Sequence, residues 1–110
     1  MFPQKIWGGS AGTAELLAMG SLTNTNADLT IDCSAFSGDI TIVLGGRASN
    51  AIWYGNLDSK TVTKQYGSTN DTSTCSISSS KVVSTANMIG ATTKYQHGTF
   101  IFAGHAILPN

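Results

Sequence analysis

Residues 29–44 read Leu-Thr-Ile-Asp-Cys-Ser-Ala-Phe-Ser-Gly-Asp-Ile-Thr-Ile-Val-Leu, and the first half of this stretch alternates between apolar and polar side chains. Because successive side chains of a β-strand point to opposite faces, this alternation predicts a half-buried strand over residues 29–36. Residues 37–39, Ser-Gly-Asp, are a tight-turn sequence, and residues 40–44 follow as a second, more apolar strand. The stretch therefore predicts a β-hairpin.

The same period of two continues along the rest of the chain. Further strands are predicted at residues 51–54, 60–66, 72–78 and 99–103. In the second of these, Val62, Lys64 and Tyr66 are expected on one face. Seven or eight short strands with turn residues between them predict a small antiparallel β-sandwich or barrel, jelly-roll-like in character.

The N-terminal residues depart from this pattern. Residues 1–12 form a Gly-containing arm, and residues 13–110 are expected to form a single β domain. The apolar residues of the arm are Phe2, Ile6 and Trp7. They have no periodic partner, so they are expected to dock either on a neighbouring subunit or on the chain's own core. Residues 13–20 predict one short helix, with Thr13 as N-cap and Gly20 as its terminating residue, and a buried strand is the alternative.

The composition excludes several classes of protein. Gly, Ser, Thr and Asn make up 46 of the 110 residues, whereas charged residues are only 11%, six of each sign. A net charge of zero leaves no surplus of Lys and Arg to bind a phosphate backbone, so no nucleic-acid partner is expected. A single Glu in the chain argues against a helical bundle. What remains is a β domain with a polar, uncharged surface.

The amount of apolar side chain favours association with other subunits. Ile, Leu, Val and Phe number 24 in total, which makes a modest core for a chain of this length. The zero net charge gives little electrostatic protection against self-association. Association would bury further apolar surface and would link stability to concentration. We therefore expect an oligomer or a component of a larger assembly.

No pattern of residues indicates a catalytic or metal site. Residues 8–12, Gly-Gly-Ser-Ala-Gly, match the Gly-x-Ser-x-Gly nucleophile elbow but lack the central strand that must precede it. His97 and His105 are expected at the surface or in turns, and the chain's cysteines are too distant for a zinc site. Cys33 and Cys75 are expected to be buried free thiols, with a disulfide as the alternative. The expectation is a non-enzymatic protein without metal or cofactor.

Trp53 and Tyr54 are the candidate surface-binding aromatics. They are adjacent in a predicted strand, so their side chains point to opposite faces, and one of the two is expected in the core. The other would be available for a sugar ring or for a subunit interface.

The C-terminal residues carry a resemblance to a known family. Residues 98–107 read Gly-Thr-Phe-Ile-Phe-Ala-Gly-His-Ala-Ile, which contains an aromatic-Ala-Gly-x-Ala-Ile pattern. Together with the short length, the low charge and the N-terminal arm, this segment resembles the head-decoration (capsid cement) proteins of lambda-like tailed phages. The resemblance implies a virion structural protein that sits on the capsid as a homotrimer, with residues 1–12 ordered by contact with the major capsid protein.

A second resemblance leads to a different role. The Thr- and Ser-rich alternation is similar to the small jelly-roll tips of phage tail fibres and receptor-binding proteins, which also trimerise. In that alternative, Trp53 or Tyr54 would recognise a host-surface glycan. Residues 1–7 lack the pattern of a secretory signal, and no stretch approaches the ~20 apolar residues of a membrane span. The protein is therefore expected to be made in the host cytoplasm and to reside in the virion, with no membrane partner.

Overall fold

Nine β-strands make up the part of the chain that the computed structural model describes, namely residues 15–47, 49–90 and 92–105. They are β1 (Leu16–Leu22), β2 (Leu29–Asp32), β3 (Asp39–Gly46), β4 (Asn50–Asn56), β5 (Thr61–Gly67), β6 (Thr74–Ile77), β7 (Val82–Ile89), β8 (Thr93–Tyr95) and β9 (His97–Ala103). No helix occurs in these ranges. The expectation of a mainly β fold is confirmed.

The strands form two antiparallel sheets that pack as a β-sandwich. The large sheet has five strands in the order β1-β9-β3-β4-β5. The small sheet has four, of which three follow the order β2-β7-β6 and the fourth, β8, pairs with the end of β7. Contacts between β1 and β2 on one side, and between β5 and β6 on the other, bring the edges of the two sheets together.

The hydrophobic core lies between the two sheets. Its buried side chains are Leu29, Ile31, Cys33, Ile40, Ile42, Leu44, Ala51, Trp53, Leu57, Ile77, Val83 and Ile101. The central strand of the large sheet, β3, contributes Ile40, Ile42 and Leu44, none of which is more than 1% exposed. Full burial of one such side chain stabilises a fold by about 1.5–3 kcal/mol, so this strand is a main source of stability.

The predicted hairpin of residues 29–44 does not form. β2 pairs with β7 in the small sheet, whereas β3 pairs with β4 and β9 in the large sheet. Residues 33–38 therefore cross from one sheet to the other, with Ala35 exposed and the strand ending at Asp32. An alternating pattern of apolar and polar residues predicts which face of a strand is buried, but it does not predict which strand lies beside it. Both strands bury an apolar face against the same core, from opposite sides.

The helix predicted at residues 13–20 is also wrong over its described part, where β1 pairs with β9. A helix of one or two turns is marginal by itself, whereas the ladder to β9 runs from Leu16 to Leu22 with one irregularity between Leu16 and Ala18. Gly20 does not terminate a helix. A Cβ at this position would lie 3.3 Å from Cδ1 of Leu29, so the glycine allows β1 and β2 to approach closely.

A β-bulge changes the expected faces of β5. Lys64 pairs with Trp53, but Tyr66 pairs with Ile52, so Gln65 is an extra residue in the ladder. Ile52 and Trp53 point to opposite faces of β4, and paired residues share a face. Lys64 therefore points inward and Tyr66 outward, which corrects the prediction that they lie on one face.

Candidate functional site: the outer face of the large sheet

One row of paired residues crosses the outer face of the large sheet from edge to edge. Backbone pairing places one residue of each strand in this row, in the order Met19, Phe100, Val43, Ile52 and Tyr66. All five are apolar or aromatic, and directly paired residues have their side chains on the same face. Met19 is 60% exposed and Tyr66 is 51% exposed at its two ends, and Phe100 is 36% exposed. We call this set the apolar row.

A second row lies beside the apolar row and is partly covered. Its members are Leu16, Phe102, Thr41, Tyr54 and Thr63. Thr41 is fully buried, and its hydroxyl donates a hydrogen bond of 2.7 Å to the carbonyl oxygen of Gly104. The ring of His105 stacks on that of Tyr54, parallel to within 1° and with 4.4 Å between the ring centroids. Residues 104–105 therefore lie over the middle of this row and leave Leu16 exposed at its end.

Charged side chains are absent from the centre of this face as far as the structure describes it. Neither of the two rows contains one, and a third row consists of Ser21, Gly98, Gly45 and Asn50. Asp39 stands at the rim, where it pairs with Asn56 and its Oδ1 lies 3.6 Å from Nε2 of His105. The middle of the face therefore offers apolar surface without charge, of the kind that monomeric proteins rarely expose.

The outer face of the small sheet has the opposite character. Ser84 of β7 pairs with Thr30 on one side and with Ser76 on the other, so three hydroxyl side chains form a row. Asp32 follows on the same face of β2 and is exposed. The composition predicts a polar surface, and the two outer faces differ at their centres: a hydroxyl row crosses the small sheet, whereas the apolar row crosses the large sheet.

Sequence reasoning did not identify the apolar row, although a signal for it exists. Strands with one solvated face alternate, as residues 29–32 do, whereas residues 42–44, 51–54 and 100–102 are continuous apolar runs. A continuous apolar run indicates a strand that is apolar on both faces. These three runs belong to the three central strands of the large sheet, β3, β4 and β9.

The structure separates the two candidate aromatics. Trp53 is only 3% exposed and belongs to the core, where Nζ of Lys64 lies 5.3 Å from its ring centroid. This confirms that one of the two adjacent aromatics is in the core, and it removes Trp53 as a surface-binding candidate, because its ring is not accessible to a ligand. Tyr54 lies on the outer face, but His105 covers one side of its ring.

The candidate arm residues Phe2, Ile6 and Trp7 lie outside the described residues. Docking through the arm therefore stays a prediction, as does the boundary between residues 1–12 and 13–110.

His97 is buried, which corrects the expectation of a surface position. Its Nδ1 donates to the carbonyl oxygen of Tyr95, so its Nε2 accepts from the hydroxyl of Thr85 at 2.9 Å when the ring is neutral. The Thr85 hydroxyl is in turn bonded to that of Thr99 at 2.8 Å. A Thr–His pair has the spacing of a nucleophile and its base. Thr85 is 1% exposed, however, so this chain of bonds joins β7 of the small sheet to β9 of the large sheet and faces no substrate.

Asn87 forms a second buried polar contact between the sheets. Its Oδ1 accepts a hydrogen bond of 2.9 Å from the backbone N–H of Ser49, and its Nδ2 donates one of 2.8 Å to the carbonyl oxygen of Gln96. The amide sits against Gly46, where a Cβ would lie only 2.3 Å from Nδ2. Gly46 is therefore the residue that makes room for Asn87.

A third polar cluster holds the turn after β5. The carboxylate of Asp71 accepts hydrogen bonds from Nζ of Lys64 and from the hydroxyl and N–H of Ser73. Burial raises the pKa of Asp71, but the hydrogen bonds from Lys64 and Ser73 and the charge of Lys64 outweigh it, so the pKa lies below its ordinary value of 3.8. Lys64 also donates to the carbonyl oxygen of Ser73 at 2.8 Å, which closes the cluster.

Cys33 and Cys75 are free thiols, as expected, but only Cys33 is fully buried, and Cys75 is half-buried beside the core. Burial raises the pKa of Cys75 to about 12, against which the charge of Lys64 acts only weakly. Burial, and after it the negative charge of Asp32, raises the pKa of Cys33. The thiolate is the reactive form of cysteine, so both thiols are expected to be inert in the folded protein.

Titration with a disulfide reagent at pH 8 tests this expectation. The folded protein should react at no more than about one-hundredth of the rate of free cysteine, since the thiolate is scarce and shielded. In urea both thiols of the chain should react. Rapid reaction of either thiol without denaturant would contradict the shielding of its sulfur in the folded protein.

Comparisons with protein-family models, with curated proteins and with solved structures found no match to this chain. Among residues 15–47, 49–90 and 92–105 there is no helix long and apolar enough to cross a membrane. The same ranges contain no group of three or more His, Cys, Asp or Glu side chains that would hold a metal ion.

Proposed function

We propose that this chain is a non-enzymatic structural protein of a phage virion, a decoration protein that stabilises the capsid by adding interface area. The observation that carries the proposal is the apolar row, which crosses all five strands of the large sheet without a charged residue. A surface of this kind suits association with another folded protein surface. The phage context and a homotrimeric state come from the resemblance of residues 98–107 and of the N-terminal arm.

The contrast between the two outer faces supports a structural role. A subunit on a particle needs one side that buries apolar surface and another that stays hydrated, and this sandwich has both. The hydroxyl row of Thr30, Ser84 and Ser76 favours the small sheet as the hydrated side. In this proposal Phe2, Ile6 and Trp7 attach the arm to the major capsid protein.

The geometry favours this role over a glycan-binding tip. A sugar platform requires an exposed ring face. Trp53 is in the core, and His105 already stacks on Tyr54. Binding of the intact protein and of the Tyr54→Ala variant to a glycan array tests the alternative. The alternative requires that the intact protein binds a glycan and that the variant does not.

Co-sedimentation with capsids that lack a decoration protein tests the proposal. We expect the full chain to bind at a fixed ratio to the major capsid protein. Deletion of residues 1–12 should abolish that binding while the circular dichroism spectrum of the sandwich is unchanged. Absence of the full chain from purified particles of the encoding phage would overturn the proposal. If the truncated chain occupied all the capsid sites that the full chain occupies, the arm would not be needed for attachment.

A further inference from the structure

We infer that the outer face of the large sheet is a contact between two copies of this chain, packed sheet against sheet about a two-fold axis. The inference rests on the proposed structural role and deepens it, because it names a second copy as the occupant of the apolar row. It differs from the trimer that the resemblance implies, and the two assemblies have different masses.

The distribution of charge fits contact between identical copies. In a two-fold contact, residues near the axis face their own counterparts, so a charged residue there meets its like. The three central rows of this face contain no charged side chain in the part of the chain that the structure describes. Asp39 stands at the rim, near His105, and away from the centre. The chain's net charge of zero also removes long-range repulsion between copies.

The small sheet does not meet this requirement. Its outer face carries Asp32 and the hydroxyl row, which water satisfies well. A second copy at that face would have to desolvate a carboxylate without an opposite charge, which is costly. The contrast therefore assigns the contact between copies to the large sheet.

The flat area of the face approaches what a stable contact needs. Five strands spaced about 4.8 Å apart, each about seven residues long, give a flat area of roughly 450 Å², part of which residues 104–105 already cover. Two copies therefore offer a flat area of at most about 900 Å², against the ~1,000 Å² of accessible surface that a biological interface needs, and side chains that project from a sheet expose more accessible surface than its flat area. Sheet-on-sheet packing at about 10 Å separation is the same arrangement that the sandwich uses in its own interior.

Two exposed members of the apolar row identify the substitutions that test the contact. Met19 and Phe100 are both exposed in the single chain, so a lysine at either position would be solvated in a monomer. In the two-fold contact the same lysine would be desolvated against the apolar surface of the second copy. Ser84→Lys is the matched control, because Ser84 points outward from the central strand of the small sheet.

Sedimentation equilibrium of the full chain over a range of concentrations, without capsids, is the experiment. We expect a mass of about twice the 11.4 kDa of the chain. Phe100→Lys and Met19→Lys should each raise the dissociation constant of the dimer by about a hundredfold or more, since an unpaired charge buried against apolar surface costs several kcal/mol. Ser84→Lys should leave it unchanged. The circular dichroism spectrum of each variant is compared with that of the wild type to check that the variant is folded.

Three results would overturn the inference, and each leaves a different conclusion. A dimer that survives both substitutions would place the contact elsewhere. A mass of three chains would favour the trimer implied by the resemblance. A monomer at all concentrations, whose capsid binding is lost in Phe100→Lys, would assign the face to the capsid protein and leave the proposed function intact. Conversely, a dimer that never binds capsids would overturn the proposed function and retain the contact.

Discussion

Asn87→Ala is expected to lower the free energy of unfolding by about 2–4 kcal/mol, because it leaves two backbone groups without partners inside the sandwich. The N–H of Ser49 and the carbonyl oxygen of Gln96 lose their hydrogen bonds of 2.9 and 2.8 Å. Asn87 is fully buried, so water does not replace the lost bonds freely. Stability of the whole domain is of the order of 5–15 kcal/mol, so the loss is a large fraction of it. Urea unfolding followed by circular dichroism measures it.

Asn50→Ala is the matched control. The Asn50 side chain also accepts a hydrogen bond from a backbone N–H, that of Gly46, but it is exposed and the bond is 3.3 Å long. Water takes its place, and a change of less than about 1 kcal/mol is expected. Equal losses for Asn50→Ala and Asn87→Ala would contradict the role of burial.

Gly46→Ala provides a second check on the same contact. Its new Cβ would overlap the Asn87 amide, which must move and give up its bonds. In the double variant Asn87→Ala has already emptied that space, so the two effects should not add. The free energy of unfolding of the double variant is expected to lie within about 0.5 kcal/mol of that of Asn87→Ala alone. Additive losses would show that Gly46 and Asn87 act independently.

Asp71→Asn is expected to lower stability by about 1–3 kcal/mol at pH 7, with a loss that depends on pH. The Asp71 side chain is 3% exposed, and the substitution leaves Lys64 without its counter-charge. The pKa of Asp71 lies below its ordinary value of 3.8 in the folded protein, so the folded state favours the ionised form. Its contribution is therefore complete above about pH 5 and is lost as the pH falls through the folded pKa.

The stability difference between wild type and Asp71→Asn should accordingly shrink as the pH falls from 5 towards 2. Urea unfolding at a series of pH values measures this difference. Asp28→Asn is the control, because Asp28 forms an ion pair with Lys94 at 2.7 Å but is 46% exposed. Surface pairs contribute about 0–1 kcal/mol, so the control should show a small loss. A constant difference for Asp71→Asn across this range would refute the assignment of the effect to ionisation.

Several features of the fold follow directly from the sequence. The alternation of residues 29–32 and the turn residues around Gly38 and Asn70 predict strands and their ends, because period and turn chemistry are local properties. Adjacent positions in a strand point to opposite faces, so the sequence also predicts that one of Trp53 and Tyr54 is buried. It does not say which, since that depends on the side from which the core approaches.

The partners of each strand depend on contacts distant in sequence. β2 and β3 are neighbours in the chain but belong to different sheets, and each buries its apolar face in the same core from its own side. β1 is a strand because β9 lies beside it, and that pairing outweighs the sequence signals for a helix over residues 13–20. No local pattern contains this information.

The candidate site shows the same division. A charge-poor β protein, with strands at residues 42–44, 51–54 and 100–102 that are apolar on both faces, can be read from the chain alone. That these runs lie side by side, and that the bulge at Gln65 adds Tyr66 to the end of their row, follows from the fold. Burial preference belongs to each residue, whereas a surface is made by strand order and register. Those are set by the packing of the whole core.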